Sequence, residues 1–341
     1  MPITRDFNNA FAVVDYTQEL NLVPNSWTLL NDVGLFQEES VSTHTVTFEE
    51  ISSTLGLIGD VARGAKPQAN KDDLRKIRSY PLARFAVVDQ ILPQDIQGVR
   101  AYGDMNAAET EAAVMVRKME RMRRNFDITM EVARFSTLTT GNLYAPQGTI
   151  SGNLFSDFGI TQKSVDFVLG TTTTDIVGKV EEVIAHMQDN ANTGDVISSV
   201  VAYCSPEWFA KFISHAKIAD AYRYYSATAT QEILRNRAGG SGLYREFQYG
   251  GIRFVEVRTV LAGQRLIPAG EVVFVPLGTT DTFVTYMGPA SKLDLVNTLG
   301  EKVYMWSWRD PKGNSIELEA ESNFVNIIRR PALVVKGTTS N

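Results

Sequence analysis

Residues 104–136 most constrain what this chain can fold into. They lie between Gly103 and Gly141, a run with neither Gly nor Pro. Ala108, Ala112, Met115, Met119, Met122, Phe126, Met130 and Ala133 recur at steps of three and four, the period of an amphipathic helix and not of a strand. The other faces carry Glu109, Glu111, Arg117, Lys118, Glu120, Arg121, Arg123, Arg124, Asp127, Glu131 and Arg134, which are expected to meet solvent. At 1.5 Å rise per residue the helix is expected to run roughly 50 Å, against an average length of about 11–12 residues. Such a rod implies an elongated molecule or one that spans a broad sheet.

The chain of 341 residues can bury a substantial core. Its formal charge of −6 and pI near 5.3 argue against a dedicated nucleic-acid binder. Cys204 is the only cysteine, which excludes an intrachain disulfide framework and a thiol-rich metal site and fits a reducing compartment. The first residues carry Arg5, Asp6 and Asp15 without an apolar core, so no signal peptide is expected. No apolar run reaches the length of a membrane span, and a soluble protein is expected.

Along the chain, residues 1–35 read as an arm, its short apolar clusters interrupted by polar residues and by Pro24-Asn25-Ser26. Thr45-Val46-Thr47-Phe48 reads as a strand, and Ile77 to Ile91 as a second extended run containing Pro81. Gly56, Gly59, Gly64 and Pro67 lie between them. Together these predict a long two-stranded loop with a bending tip, an element that is marginal in water unless something supports it. Turn signals in 141–161 predict a hairpin packed near the long helix.

A compact α/β region is expected from Ser164 onward. Ile176, Val180, Val183 and Met187 line one helical face, and Val196 to Cys204 is a buried strand. Ser205-Pro206 starts a further helix whose buried face is Trp208, Phe209, Phe212 and Ile213. Another helix is expected at 227–236, a flexible loop at Gly239–Gly242, and strands at 252–258, 271–276, 282–287 and 302–308. After the turn at Asp310–Asn314, Ile316, Leu318 and Ala320 alternate with Glu317, Glu319 and Glu321, so the last segment is expected to return as a strand beside the long helix.

Signatures of chemistry are missing. The phosphate-cradling, dinucleotide-binding, zinc-protease and nucleophile-elbow motifs do not occur, and the glycines of Gly170–Lys179 are wrongly spaced for a phosphate. His44, His186 and His215 are the only histidines. The last two are expected on helix surfaces, and Cys204, at the end of an apolar strand, is expected to be buried and inert. Arg117 to Arg124 holds five basic residues in eight. It reads either as contact with a nucleic-acid backbone or as a solvated face with pairs Glu120–Arg124 and Arg123–Asp127; the acidic whole favours the second. Trp306 and Trp308 are read as core or subunit-interface packing and not as a base-stacking platform.

The order of parts, with Ile91-Leu92-Pro93-Gln94-Asp95, the Glu/Arg-rich helix, Ala202-Tyr203-Cys204-Ser205-Pro206-Glu207-Trp208 and Asn323 to Leu333, resembles the major capsid proteins of tailed bacteriophages, which share the HK97-type fold. The lambda-type capsid protein E family is the nearest likeness. The resemblance implies an α+β fold with an arm at 1–35, an extended loop at 36–92, a peripheral domain at 93–165 and 315–341 built on the spine helix and its sheet, and an axial domain at 166–314. It also implies hexamers and pentamers of the chain in an icosahedral shell around double-stranded DNA. Implied partners are further copies of the chain, a separate scaffolding protein and a portal, with non-specific contact with the packaged double-stranded DNA and no membrane; whether a decoration protein binds is left open by the resemblance. No catalytic, cofactor-binding or metal-binding residue is expected. Some relatives crosslink a loop lysine to a neighbour's asparagine; Lys66 and Lys71 lie in the corresponding loop, but no partner or catalytic carboxylate is identifiable and crosslinking is not expected. Two other readings are a nanocompartment shell that packages an enzyme and an α/β hydrolase using 166–310, the latter disfavoured by the scarcity of histidine.

Overall fold

In the computed structural model the described residues are 28–52, 74–97, 110–191, 196–219, 245–261, 263–279 and 281–340. The chain enters through a short helix α1 (Leu30–Val33), then strands β1 (Gln37–Ser40), β2 (Thr45–Ser52), β3 (Leu74–Pro81) and β4 (Ala83–Ile91). The long helix α2 spans Glu111–Thr140 and is followed by the short α3 (Leu154–Asp157) and β5 (Ser164–Asp166). Next come α4 (Ile176–Asn190), β6 (Ser199–Cys204), α5 (Pro206–Ser214), β7 (Glu246–Tyr249) and β8 (Ile252–Glu256). The remainder is strand: β9 (Val260–Leu261), β10 (Gln264–Arg265), β11 (Glu271–Leu277), β12 (Phe283–Gly288), β13 (Tyr304–Arg309), β14 (Ile316–Ile328) and β15 (Val335–Thr338).

The α2 helix begins where the Thr110 side chain accepts a hydrogen bond from the Ala113 N–H, as an N-cap does. It ends at Gly141, whose φ of 72° is left-handed. A Cβ at Gly141 would overlap the Phe155 ring, so both backbone and packing demand glycine there. The helix therefore runs four residues past the expected end at 136, and the expected start at 104–109 lies outside the described residues. Thr137, Thr139 and Thr140 carry it onward, each returning its hydroxyl to a carbonyl one turn back.

Two sheets share the work of the core. In the five-stranded sheet β1, β12, β14 and β13 follow in order, with β4 on the other flank of β14. Ile316, Leu318 and Ala320 of β14 meet Val114, Met122 and Phe126 of α2, and Phe324 meets Met130 and Ala133. The six-stranded sheet runs β5-β15-β11-β6-β8-β7. Val200, Ala202 and Cys204 of β6 face α4 and α5, whose Val180, Val183, Trp208, Phe209 and Phe212 are buried there. Val201 and Tyr203 face the other way, toward Phe135 and Leu138 of α2 and toward Val284 and Val325 of the first sheet. A strand buried on both faces reads as an unbroken apolar run, as Val200–Cys204 does. Ser205 caps α5 by accepting from the Trp208 N–H.

Several expectations need correction. The Ile77–Ile91 run is two strands, not one arm of a loop: β3 pairs with β2, whereas β4 pairs along β14. Pro81 ends β3, where a missing N–H costs least. The 141–161 segment holds one isolated bridge, Asn142 to Asn153, because the Asn153 side chain caps α3 and so ends any hairpin. Pairing also crosses the expected segment boundaries. Strands β12 and β13, from 166–314, lie on β14, while β15, from 315–341, lies between β5 and β11. The expected helix at 227–236 and the glycines at 239–242 lie outside the described residues, as do Gly56, Gly59, Gly64, Lys66 and Lys71.

Replacing Phe126, buried between α2 and β14, should cost about 3–5 kcal/mol as Phe126→Ala. Arg124→Ala on the exposed side should stay within about 0.5 kcal/mol. Urea unfolding of the two variants would compare them directly.

Candidate assembly surfaces

The hairpin β2–β3 is the first surface that the rest of the described residues do not complete. Its base is anchored. Val46 and Tyr80 are buried, Phe48 stacks on Tyr80 and Phe158, and Arg78 lies over the Phe158 ring and donates to the Asp157 carbonyl. Beyond Phe48 and Arg78 the two strands pair only with each other. Ile77 is 70% exposed. An isolated two-stranded ribbon with an apolar residue turned to water gains by lying against another surface.

The second surface is the face of the five-stranded sheet that α2 does not cover. Side chains alternate across a strand: with Ile316, Leu318 and Ala320 turned to the helix, Glu317, Glu319 and Glu321 point the other way. Register places Tyr304, Trp306 and Trp308 of β13 beside Glu321, Glu319 and Glu317. On the other flank Ala86, Val88 and Gln90 stand opposite the same three carboxylates. Tyr304, Trp306 and Trp308 stack in a ladder with ring centroids 5.8 and 6.3 Å apart, and the Lys292 ammonium sits 5.0 and 4.6 Å from the two indole centroids. Lys292 also pairs with Glu319 at 2.6 Å. The adjoining loop leaves Leu293 92% exposed and Val296 and Leu299 largely so. Trp308, at 42% exposure, is thus an open-face residue and not core, which leaves the subunit-interface half of the sequence expectation.

Glu321 anchors this face. It is fully buried, and burial pushes its pKa up. The Arg84 guanidinium at 2.8 Å, the Ser291 N–H and the Asn323 amide outweigh that and hold it below the ordinary carboxylate value. The stability it contributes is therefore present above the unfolded pKa, about 4.5, and is lost as pH falls through the lower folded value. Glu321→Gln should flatten that part of the profile, seen as a smaller drop in the urea midpoint between pH 5 and about pH 3.

The third feature ties the N-terminal segment to α2. The Glu131 carboxylate accepts from the backbone N–H groups of Leu29, Leu30 and Asn31 at 2.7, 2.7 and 3.0 Å. One turn on, Arg134 donates to Asn31 Oδ1, Glu38 and Thr285. Both side chains are buried, which corrects the expectation that they lie on a solvated face. Burial raises the Glu131 pKa against the three N–H groups and Arg134, and it lowers that of Arg134. Removing one member of such a network leaves the others buried and unpaired, so Glu131→Ala should cost about 3–5 kcal/mol in equilibrium unfolding. Glu131→Gln, which keeps one acceptor oxygen, should cost less.

The residues that could have carried chemistry are placed apart. Cys204 is fully buried and its thiol pKa is pushed up by that burial. His215 is buried and not on a helix surface; its ring meets the Thr171 carbonyl at 3.0 Å. His186 contacts the Ala332 carbonyl, and His44 is exposed. Among the described residues no group of His, Cys, Asp and Glu is arranged to hold a metal ion, and no helix is long and apolar enough to cross a membrane. Sequence reasoning missed the Glu131–Arg134 network and the Lys292–tryptophan contact. The first had a signal, since Glu131 and Arg134 sit among Met130, Val132, Ala133 and Phe135.

A profile described as phage major capsid protein E matches residues 12–339. The chain belongs to that family. The major capsid protein of Pseudomonas phage KPP10 is 43% identical over 96% of this chain and 97% of its own length. That of Salmonella phage Felix O1 is 29% identical over 98% and 97%. Among solved structures, the capsid of cyanophage P-SCSP1u superposes with a TM-score of 0.54 at 11% identity, covering 97% of this chain and 94% of the other. The mature capsid of bacteriophage PhiM1 gives 0.55 at 15%, covering 95% and 90%. At such identities the likeness is one of fold, and it assigns this α+β chain to the phage capsid fold.

Proposed function

We propose that this chain is the major capsid protein of a tailed phage, a structural subunit whose copies associate as hexamers and pentamers into the icosahedral head that encloses double-stranded DNA. The observation that carries the reading is a family match along nearly the whole chain, joined to exposed apolar side chains on the hairpin and beside one sheet face, Ile77, Leu293 and Trp308 among the described residues. The mechanism is interface physics. Each contact between copies must offset the ordering of the segments that make it, and many modest contacts closed by symmetry give a strong shell. The role needs no catalytic residue, cofactor or metal. A separate scaffolding protein, a portal and possible decoration fit the same reading, with assembly in the host cytoplasm and residence in the virion. None of the relatives and structures named above points to a shell that packages an enzyme.

Electron microscopy of the purified chain tests this: closed shells, rings or tubes are expected, and small monodisperse particles alone would refute it. Joining Ser52 to Leu74 by a short turn, in place of residues 53–73, should abolish shells while leaving a soluble subunit. Normal shells from that variant would remove residues 53–73 from the assembly mechanism.

A further inference from the structure

The six-stranded sheet carries an apolar feature at each end of β6. At the N-terminal end a groove of about 420 Å³ opens between the second half of α4 and the starts of β6 and β8. Ile184, Met187, Ala191, Ile197 and Val200 line it, and Gly251 adds bare backbone. Seven residues fall only about 20° short of two full helical turns, so Val177, Ile184 and Ala191 follow one line along α4. That line flanks the face that Val180 and Val183 bury against the sheet. It stays open: Val177 is half exposed, and Val196, beside Ile197, is 73% exposed. Glu181 and Asp189 stand on the exposed side of α4 and make no ion pair among the described residues, whereas Glu182 is held by Lys163 and Lys179.

At the C-terminal end of β6 the chain leaves β8 and turns into the β9–β10 hairpin. Its Leu261 is buried, but Val260 projects with 53% of its surface exposed. The setting is basic. Glu256, fully buried, accepts from Arg245 at 2.7 and 2.8 Å and pairs with Arg258 at 2.9 Å, so two guanidinium groups share one carboxylate. Arg265 reaches Glu207 at 2.6 Å. Arg258 and Arg265 keep more than half of their side-chain surface exposed, and a guanidinium offers five donors.

We propose that the β9–β10 hairpin of one copy of the chain seats Val260 in the α4–β6 groove of the next, with Arg258 and Arg265 turned toward Glu181 and Asp189. The inference rests on the capsid reading above and names the residues of one contact between neighbours in a ring. Groove and hairpin match in character: an apolar recess rimmed by unpaired carboxylates meets a projecting apolar residue flanked by surplus guanidinium groups. The recess is larger than one aliphatic side chain fills, which suits a hairpin. A subunit cannot fill its own groove, because the six residues of β6 hold the two features roughly 17 Å apart at about 3.3 Å per residue. Two different patches in contact make a heterologous interface, which repeats head to tail and closes into a ring where the rotation allows. Charges at the rim set orientation and encounter rate more than strength, so the strength falls to the apolar seat.

The test uses the full chain. Val260→Cys/Gln188→Cys places one thiol on the hairpin and one on the exposed lip of the groove, while the native Cys204 is buried. After treatment with a short bis-maleimide, denaturing gels should show a ladder of linked chains that neither single variant gives. A double variant without linked chains would overturn the proposal. Val260→Asp, at an exposed position, should keep the native urea midpoint but weaken association about tenfold, read as a higher protein concentration at which rings or shells appear. Glu181→Arg should weaken it less, and combining the two should recover part of the loss, since the new carboxylate then faces a new guanidinium. Assembly of Val260→Asp at the native concentration would also overturn the contact. Electron microscopy separates it from the capsid reading. Native shells or rings without linked chains from the cysteine pair refute the contact and keep that reading. A native chain that forms no shells sinks the capsid reading, while linked dimers of the cysteine pair support the groove contact and their absence refutes it.

Discussion

A carboxylate with no access to water must find all its hydrogen bonds within the chain, and Glu131 finds three in the backbone N–H groups of residues 29–31. That contact determines how the structure begins. It fixes α1 against the spine helix, and Arg134 then fixes Glu38 of β1 and Thr285 of β12 one turn further on. Strand β1 in turn lies parallel to β12 at the sheet's edge, and parallel neighbours far apart in sequence need such external ties to set their register. The Thr285 hydroxyl passes the network on to Asn326 of β14. A polar network this deep is costly unless every member is satisfied, which is why segment 28–40, α2 and the sheet stand or fall together.

The same helix divides the molecule by function. Its C-terminal half is enclosed on nearly all sides, between both sheets, and serves as structural core. Among the described residues its N-terminal half is covered by β4, β13 and β14 on one side, and Arg121, Arg123 and Arg124 are exposed. Around it the described residues form a sheet whose other face carries Glu317, Glu319 and Glu321 beside three aromatic rings, and a hairpin anchored at its base by Phe48, Tyr80 and Phe158.

Much of this was legible in the chain. The spine helix, α4, α5 and the strands β6, β8, β11, β12, β13 and β14 follow from periods of 3.6 and 2 and from caps such as Ser205-Pro206, whereas the short β7, β9 and β10 carry no such signal. Misreadings arose where tertiary contacts override local pattern. The Ile77–Ile91 run shows no sequence break strong enough to reveal that β4 leaves the hairpin to pair with β14, more than 200 residues away. Glu131 and Arg134 follow the charge pattern of a solvated face until α1 and β12 cover them. The expected pairs Glu120–Arg124 and Arg123–Asp127 obey helical spacing, yet Asp127 prefers Lys302, a residue no spacing rule could supply.

By itself the sequence determined the element types, the buried stripe of the long helix, the absence of catalytic signatures and, through its likeness to a known family, the fold. Only the tertiary structure decided which charges are buried, which are paired and which remain free, and on which side of the sheet each falls. The reason is physical: periodicity reports the local geometry of one element, whereas desolvation and ion pairing depend on segments brought together from distant parts of the chain.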